Sequence, residues 1–513
     1  MDIRFLPIFI SFFLFSSLKL VPAITITSCS KTPYPKTCDY YMENNFLATL
    51  KLDQTKLSFH NLILKVTLDQ SVKAHEHISS MNLSSFNKLA KLAWKDCLEL
   101  YEDTVDNLNR SMSSSNPVDS VTWLSAAIAN QQTCENGFTD FNLGHYLESL
   151  PLMLTNFSQL VSNSLAVTQS TVQSDTTVKV GGRRLLVDEF PSWLSAADRK
   201  LLQSAPPKGD IVVAQDGTGE YKTISEAVAA AAKRGGGRRM VIYVKKGIYR
   251  ENVEIKRTVK NIMLLGDGID ATIVTASKNA NGGTTTFRSA TFAVTGEGFI
   301  AKGVTFENTA GPQNHQAVAL RSGSDFSVFY GCSFKGYQDT LYVYAKRQFY
   351  RNCDVYGTQD FIFGDAVVVL QNCNIYIRKS NQKNTVTAQG RKDPNENTGI
   401  IIHNSRITGE GSGENYLGRP WKQYSRTVIM KSTIDSLINP AGWLPWSGSF
   451  ALNTLYYGEY MNTGGGASTS GRVKWPGYHV ITSPTEAGKF TVGSFLAGNS
   501  WLPSTGVPYD AGL

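Results

Sequence analysis

The chain of 513 residues is long enough for two or three domains, and its 11% aromatic and 18% charged residues exclude a disordered protein. The net charge of +8 is unevenly shared: residues 1–204 carry 17 Lys and Arg against 19 Asp and Glu, residues 205–513 carry 33 against 23. A basic second part points to a polyanionic partner, which outside the cell is an acidic polysaccharide, an anionic lipid or a nucleic acid, unless the charge serves solubility alone.

The first element is a targeting segment. Arg4 supplies the positive end, Phe5 to Phe15 is a nearly unbroken apolar run, and Val21 and Ala23 stand at the −3 and −1 positions of a small-residue cleavage site. Residues 1–23 are therefore predicted as a signal peptide. The run is shorter than the ~20 apolar residues that cross a bilayer, and no later stretch reaches that length, so no membrane anchor is expected. Export permits disulfides. The seven cysteines, Cys29, Cys38, Cys97, Cys134, Cys332, Cys353 and Cys373, fall four in the first third and three in the last. An odd number leaves at least one thiol unpaired within the chain. The sequons at Asn82, Asn109 and Asn156 all precede residue 160 and are the candidate glycosylation sites.

Residues 29–165 read as helical. Leu89, Leu92, Ala93, Cys97, Leu100 and Leu108 recur at the spacing of one helix face, similar runs occupy 53–78 and 120–133, and Pro117 separates two of them. The pattern predicts an all-α four-helix bundle with short connections. Cys29 and Cys38 bracket a turn-rich stretch that a local bridge can close. Cys97 and Cys134, on separate helices, can staple them. From 162 to 177 the chain is rich in Ser, Thr and Gln without an apolar period. Residues 166–205 are accordingly predicted as a linker. Its basic pairs, Arg183 with Arg184 and Arg199 with Lys200, are each followed by Leu-Leu and are candidate sites for a processing protease.

Beyond Asp210 one helix stands out: Thr223-Ile-Ser-Glu226 is a capping box, Ala227 to Ala232 a strong helix run, and Gly235 to Gly237 its end. Short β-rich runs follow, separated by Gly, Asn and Asp turns, the texture of a sandwich, a barrel or a solenoid. A repeat chooses among these. Cys332, Cys353 and Cys373 stand 21 and 20 residues apart, and each opens a similar strand. Such a period in an all-β region predicts a parallel β-helix, one coil per repeat. Residues one period apart then stack about 4.8 Å apart, a separation that admits one bridge between neighbouring stacked cysteines and leaves the third free.

The same period stacks Gln338-Asp339 on Gln359-Asp360. Two carboxylates roughly 5 Å apart cannot both ionise cheaply, so one holds a proton and the pair divides into an acid and a base or nucleophile. The structural alternative is a pair of turn aspartates that cap strands. Tyr337, Tyr342, Phe361 and Phe363 interleave with the carboxylates and suit a sugar-binding cleft, though they are ordinary strand residues too.

Five motifs, Gly247-Ile-Tyr-Arg-Glu251, Gln316-Ala-Val-Ala-Leu-Arg321, Tyr337-Gln-Asp-Thr-Leu-Tyr342, Asp360-Phe-Ile-Phe-Gly364 and Leu417-Gly-Arg-Pro-Trp421, resemble in kind and order those of the plant pectin methylesterases (pectinesterases). Residues 29–165 resemble the pectin methylesterase inhibitor domain, and residues 206–513 the catalytic domain. The resemblance implies a right-handed parallel β-helix that hydrolyses the C6 methyl esters of homogalacturonan to pectate and methanol, without metal or organic cofactor. It implies Asp360 as nucleophile, Asp339 as general acid and then base, and Gln338 and Gln316 as donors to the oxyanion. Arg419 would orient Asp360 and keep it charged, with Thr286, Trp421, Tyr342 and Phe363 as further substrate contacts. It also implies the bridges Cys353–Cys373, Cys29–Cys38 and Cys97–Cys134, with Cys332 free. One departure is Gln359, which precedes the nucleophile where the family more often has an apolar residue; a second is a short segment Thr408–Asn415. Expected partners are pectin, inhibitor proteins and a processing protease, with no nucleic acid, and the expected location is the cell wall after secretion. The helical domain is expected to silence the enzyme or to assist its folding and export. The rival readings are a polygalacturonase or pectate lyase on the same fold, and a wall-binding protein with a dead site. The absence of a zinc-spaced His/Cys cluster and of a G-x-S-x-G elbow leaves the aspartates as the expected chemistry.

Overall fold

The helical part is set by its caps. Asn87 accepts from the Ala90 amide (2.8 Å) and Asn116 from the Val118 amide (3.0 Å), which starts helices Lys88–Ser113 and Pro117–Thr139, the second with Pro117 in its first turn. In chain order the helices are α1 (Pro35–Thr49), α2 (Phe59–Ser79), α3 (Lys88–Ser113), α4 (Pro117–Thr139) and α5 (Pro151–Val178). Helices α2 to α5 close a four-membered ring in which each packs on its chain neighbour and α5 returns to α2, while α1 leans on α2 and α5. Cys29–Cys38 ties the N-terminal turn to α1, and Cys97–Cys134 joins α3 to α4. This computed structural model describes residues 25–49, 58–149, 151–178, 209–235, 237–410 and 414–513. The expected signal peptide and the pairs Arg183–Arg184 and Arg199–Lys200 lie outside the described residues.

The expected linker start at 166 needs correction, because α5 runs on to Val178. Its Asn163, Ser164 and Thr168 are buried against the other helices and the N-terminal turn. Ser164 and Thr67 hydroxyls meet at 2.8 Å, Thr168 meets His60 Nε2 at 3.0 Å, and Asn163 accepts from the Tyr34 amide at 2.8 Å. Small hydrogen-bonded polar residues thus pack where apolar ones would have shown a period.

From Ile211 onward the chain winds into three parallel sheets of 11, 8 and 7 strands among the described residues, with every third strand adjacent throughout the two smaller ones. This is the parallel β-helix. Left-handed corners recur coil after coil at Gly331, Asn352, Asn372, Asn404 and Lys431 (φ 49–57°), conformations that Gly and Asn adopt readily. Inside, rings stack along the axis, Phe306 on Phe334 at 5.7 Å and Phe329 on Tyr350 at 4.7 Å. The helix Ile224–Arg234, held by its Thr223–Glu226 capping box, buries Ile224, Ala227 and Ala231 on this interior near the first strands. The interior is drawn from residues beyond 210 alone, so the β-helix encloses its core without a side chain from the helical domain.

The expected Cys353–Cys373 bridge is not formed: Cys332, Cys353 and Cys373 are all free and buried. Each follows a left-handed corner and enters the core in one column, continued by Ser405 and Ser432. The thiols are satisfied by carbonyls instead. Cys353 Sγ donates to Phe329 O (3.3 Å) or Arg351 O (3.4 Å), and Cys373 Sγ to Gln371 O (3.5 Å), while Ser405 Oγ accepts from the Cys373 amide (3.1 Å). The column is a polar ladder in which sulfur and hydroxyl play the same part.

Candidate active site

Asp339 and Asp360 adopt φ of 62° and 52°, the left-handed region that aspartate tolerates. Each turns the chain into an inner strand, Leu341–Val343 or Ile362–Gly364. Leu341 pairs with Ile362, and the Asp339 amide donates to Gln359 O at 3.1 Å. The register therefore sets Asp339 and Asp360 on successive coils, about 4.8 Å apart along the axis. The same ladder aligns the preceding glutamines, since the Ala317 amide donates to Gln338 O at 3.2 Å. Gln316, Gln338 and Gln359 thus form a column beside the acids, and all three line the cavity the acids face.

The two carboxyl groups differ in their partners. Arg419 clamps Asp360 with both prongs, Nε to Oδ1 at 2.8 Å and Nη2 to Oδ2. Thr385 Oγ1 donates to the same Oδ1 at 2.6 Å and accepts from the Asp360 amide at 2.9 Å. Asp339 has burial and the neighbouring charges of Asp360 and Asp140 against it, and these raise its carboxyl well above the usual range although Arg419 opposes them. One carboxylate is held in a bidentate ion pair, and the other is pushed toward its protonated form by burial and like charge.

The cavity measures about 410 Å³ and brings together Thr286, Gln316, Gln338, Asp339, Tyr342, Asp360, Phe363, Arg419 and Trp421. Tyr342 stacks on Phe363 at 4.2 Å, and Trp421 meets Phe363 edge-on at 6.0 Å. Trp421 comes that close because residue 390 is glycine: a Cβ there would stand 2.9 Å from the indole. Trp446, opposite, carries the Arg419 guanidinium 4.4 Å from its ring centre.

The other wall is the helical domain. Thr133, Asn136, Gly137, Thr139 and Asp140, at the C-terminal end of α4, line the same cavity. Asp140 accepts from Thr286 Oγ1 at 3.1 Å, Thr133 Oγ1 lies 3.4 Å from Tyr342 OH, and Lys422 Nζ donates to Asn136 Oδ1 at 3.4 Å. Helix α4 is buried on every side from Ser120 to Cys134 because the bundle covers one face and the β-helix the other. Beside it, acidic α3 meets basic loops. Asp96 pairs with Arg288 and accepts from Thr285 Oγ1 (2.5 Å), and Glu99 pairs with Arg288 (2.9 Å). Arg257 pairs with Glu102 (2.8 Å) and Asp106 (3.0 Å), and Lys346 with Asp103 (3.2 Å). The sequence gives no sign of Thr385, which stands 25 residues past Asp360 and so outside the period of the repeat. Asp140 reaches the site only across the domain boundary. Asn82 and Asn109 are exposed and Asn156 half-buried on the helical domain.

Comparison with known proteins gives a consistent picture. The family described as Pectinesterase matches residues 210–499, and the family described as Plant invertase/pectin methylesterase inhibitor matches residues 24–167. The chain is 55% identical to "Probable pectinesterase/pectinesterase inhibitor 6" of Arabidopsis thaliana, over 97% of this chain and 96% of the relative. It is 54% identical to "Pectinesterase 2" of Citrus sinensis, over 94% of each. Among solved structures, pectin methylesterase from carrot is 59% identical with a TM-score of 0.59, over 60% of this chain and 100% of the carrot chain. The enzyme from Aspergillus niger is 30% identical with a TM-score of 0.52, over 58% of this chain and 97% of the other.

Proposed function

Since the chain belongs to the pectinesterase family and carries an inhibitor-family domain ahead of the catalytic one, we propose that Asp360 and Asp339 divide the hydrolysis of pectin methyl esters between them. The protein is a pectinesterase, a carboxylic ester hydrolase with an inhibitor-like helical domain. The reading of its site is supported by one contrast: of two stacked carboxyl groups, one is clamped by Arg419, while burial and like charge raise the other.

In the first step an Asp360 oxygen attacks the ester carbonyl carbon of a galacturonate unit. The oxygen that gains charge is held by the side-chain amides of Gln338 and Gln316. The C–O bond to the methoxy group then breaks, Asp339 gives its proton to the departing oxygen, and methanol leaves an acyl anhydride on Asp360. In the second step Asp339, now a base, takes a proton from water, which adds to the substrate carbonyl. Collapse frees the galacturonate carboxylate and Asp360, and Asp339 has its proton back. Methanol release from esterified pectin by purified residues 210–513, without chain shortening, is the expected result; shortened chains without methanol would support a glycosidase or lyase instead.

The helical domain silences this site in cis, a reading supported by the five residues at the end of α4 that line the catalytic cavity. Activity then follows cleavage between the domains at the basic pairs, leaving a mature enzyme that begins near residue 187 or 203 in the cell wall. N-terminal sequencing of wall-extracted protein tests this, and a chain still beginning near residue 24 contradicts it.

A further inference from the structure

The acidic row of α3 covers a surface with a function of its own. Asp96, Glu99, Asp103 and Asp106 recur at three- and four-residue steps along one helix face, an advance of about 4.5–6 Å per carboxylate, which is close to the length of one sugar unit. Facing them on the β-helix are Arg288, Lys346 and Arg257. Arg288 directly follows Thr286 and Phe287, both of which line the catalytic cavity. A second cavity of about 380 Å³ begins at the same Phe287 and runs past Arg288 and Tyr344 to Arg257. Arg288 and Arg257 therefore lie along a cavity that shares Phe287 with the catalytic one, and Lys346 stands beside it, paired with the Asp103 that lines it.

Phe287, which lines both cavities, packs on a buried cation. The Arg321 guanidinium carbon lies over Phe287, 3.5 Å from the ring centre, and the residue is 3% exposed. Its Nε and Nη1 have no hydrogen-bond partner among the described residues. A buried guanidinium with unmet donors is costly within a finished protein and is suited to an anion that arrives later.

We propose that Arg257, Arg288, Arg321 and Lys346 form a binding track for demethylated galacturonan, and that the α3 carboxylates occupy it in the precursor as a stand-in for that polyanion. The track rests on the esterase reading, because its ligand is the product of that reaction. Once the helical domain leaves, cations that were paired face solvent beside the cleft. They take the carboxylates of units already de-esterified and hold the chain while the next ester enters. The precursor thus blocks both the reacting centre, through α4, and the rail that leads to it, through α3.

The test uses residues 210–513, whose core is self-contained, and polygalacturonate as the probe. Arg257→Gln/Arg288→Gln is expected to weaken binding about 5-fold at low ionic strength, two partly exposed charge contacts of ordinary size, and the difference should vanish as salt screens it. Arg238→Gln/Arg406→Gln removes the same charge from exposed positions elsewhere on the domain and should cost less than half of that. Circular dichroism establishes that both variants are folded. Arg321→Met, which preserves the stacking volume on Phe287, should also weaken binding. Equal losses from the two double variants would reduce the track to general basicity and overturn it. Unchanged binding by folded Arg257→Gln/Arg288→Gln would leave those cations as a domain clasp only and also overturn it. Failure of the parent fragment to release methanol would strike the esterase reading and leave the binding comparison intact.

Discussion

Asp339 and Asp360 occupy equivalent corners of successive coils, yet their partners differ, and the roles proposed for them differ with those partners. Asp360→Asn keeps the shape and removes the nucleophilic charge, so methanol release by residues 210–513 should fall to background. Asp339→Asn leaves the nucleophile but no proton for the leaving methoxide; a loss of about 10² to 10⁴-fold is expected, with traces of turnover remaining. Gln338→Ala should cost on the order of 10² to 10³-fold. Near-normal turnover by folded Asp360→Asn would reopen the reading of the pair as strand caps. Thr385→Val deletes the hydroxyl that bonds both the Asp360 amide and its Oδ1, and a loss of about tenfold in kcat with little change in KM is expected for a group that positions the nucleophile. The acids and their glutamines were legible because a fixed period turns sequence distance into stacking. Thr385 escaped because the coil between it and Asp360 is longer, and the period says nothing across an insertion.

At the scale of elements, the cysteine column shows the limit of the same reasoning. Stacking was legible from the repeat spacing, but stacking within bridging distance does not decide between a disulfide and a ladder of thiols donating to carbonyls. The ladder makes a simple prediction. Without reductant, a thiol reagent should find no reactive cysteine in the native chain and three after unfolding, whereas a Cys353–Cys373 bridge would leave one. The bundle boundary was misplaced for a related reason: a helix face can be built from buried polar residues as long as each finds a partner. Asn163, Ser164 and Thr168 are such residues, and they hide an inward face of α5 inside a polar composition.

The clasp between α3 and the β-helix has its own pH dependence. Burial raises Asp96 to about 6 despite the attraction of Arg288; at Arg288 burial pulls the other way, but Asp96 and Glu99 hold it above its ordinary value. The Asp96 carboxyl is the more deeply buried partner and sets the direction. Its pKa is higher in the closed state than when exposed, so closure takes up a proton between about pH 4 and 6. That contribution, on the order of 2–3 kcal/mol, is complete below about pH 4 and lost as pH rises through about 6. Asp140, raised by burial at the same boundary, acts in the same sense. Calorimetric titration of the separated domains should therefore show tighter association at about pH 5 than at about pH 7, and Asp96→Asn should flatten the difference. Tighter association at the higher pH would contradict this account.

For the whole molecule, the division of charge read from the sequence, acidic before residue 205 and basic after it, proves to be a division between two faces that meet. The sequence carried both families of element and the sign of each, but not the docking, because a contact between separate domains leaves no period in either. The full chain is expected to release methanol at less than about a hundredth of the rate of residues 210–513 at equal concentration. Equal rates would remove the inhibitory role of α4. Retention of residues 210–513 on pectate should fall as salt is raised from low to high ionic strength.

While the two domains share one chain, α4 meets the cavity at an effective concentration fixed by the tether, which for short connections is in the millimolar range. A cut in the tether leaves the contacts of α3 and α4 with the β-helix in place. It converts an intramolecular equilibrium into a bimolecular one, so under the proposed inhibition by α4 the cut enzyme would wake only as its partner drifts away. Freshly cut protein should therefore show a lag before methanol appears, short in dilute solution and long in concentrated solution. The same cut molecule would be silent where the protein is crowded and active where it is dilute.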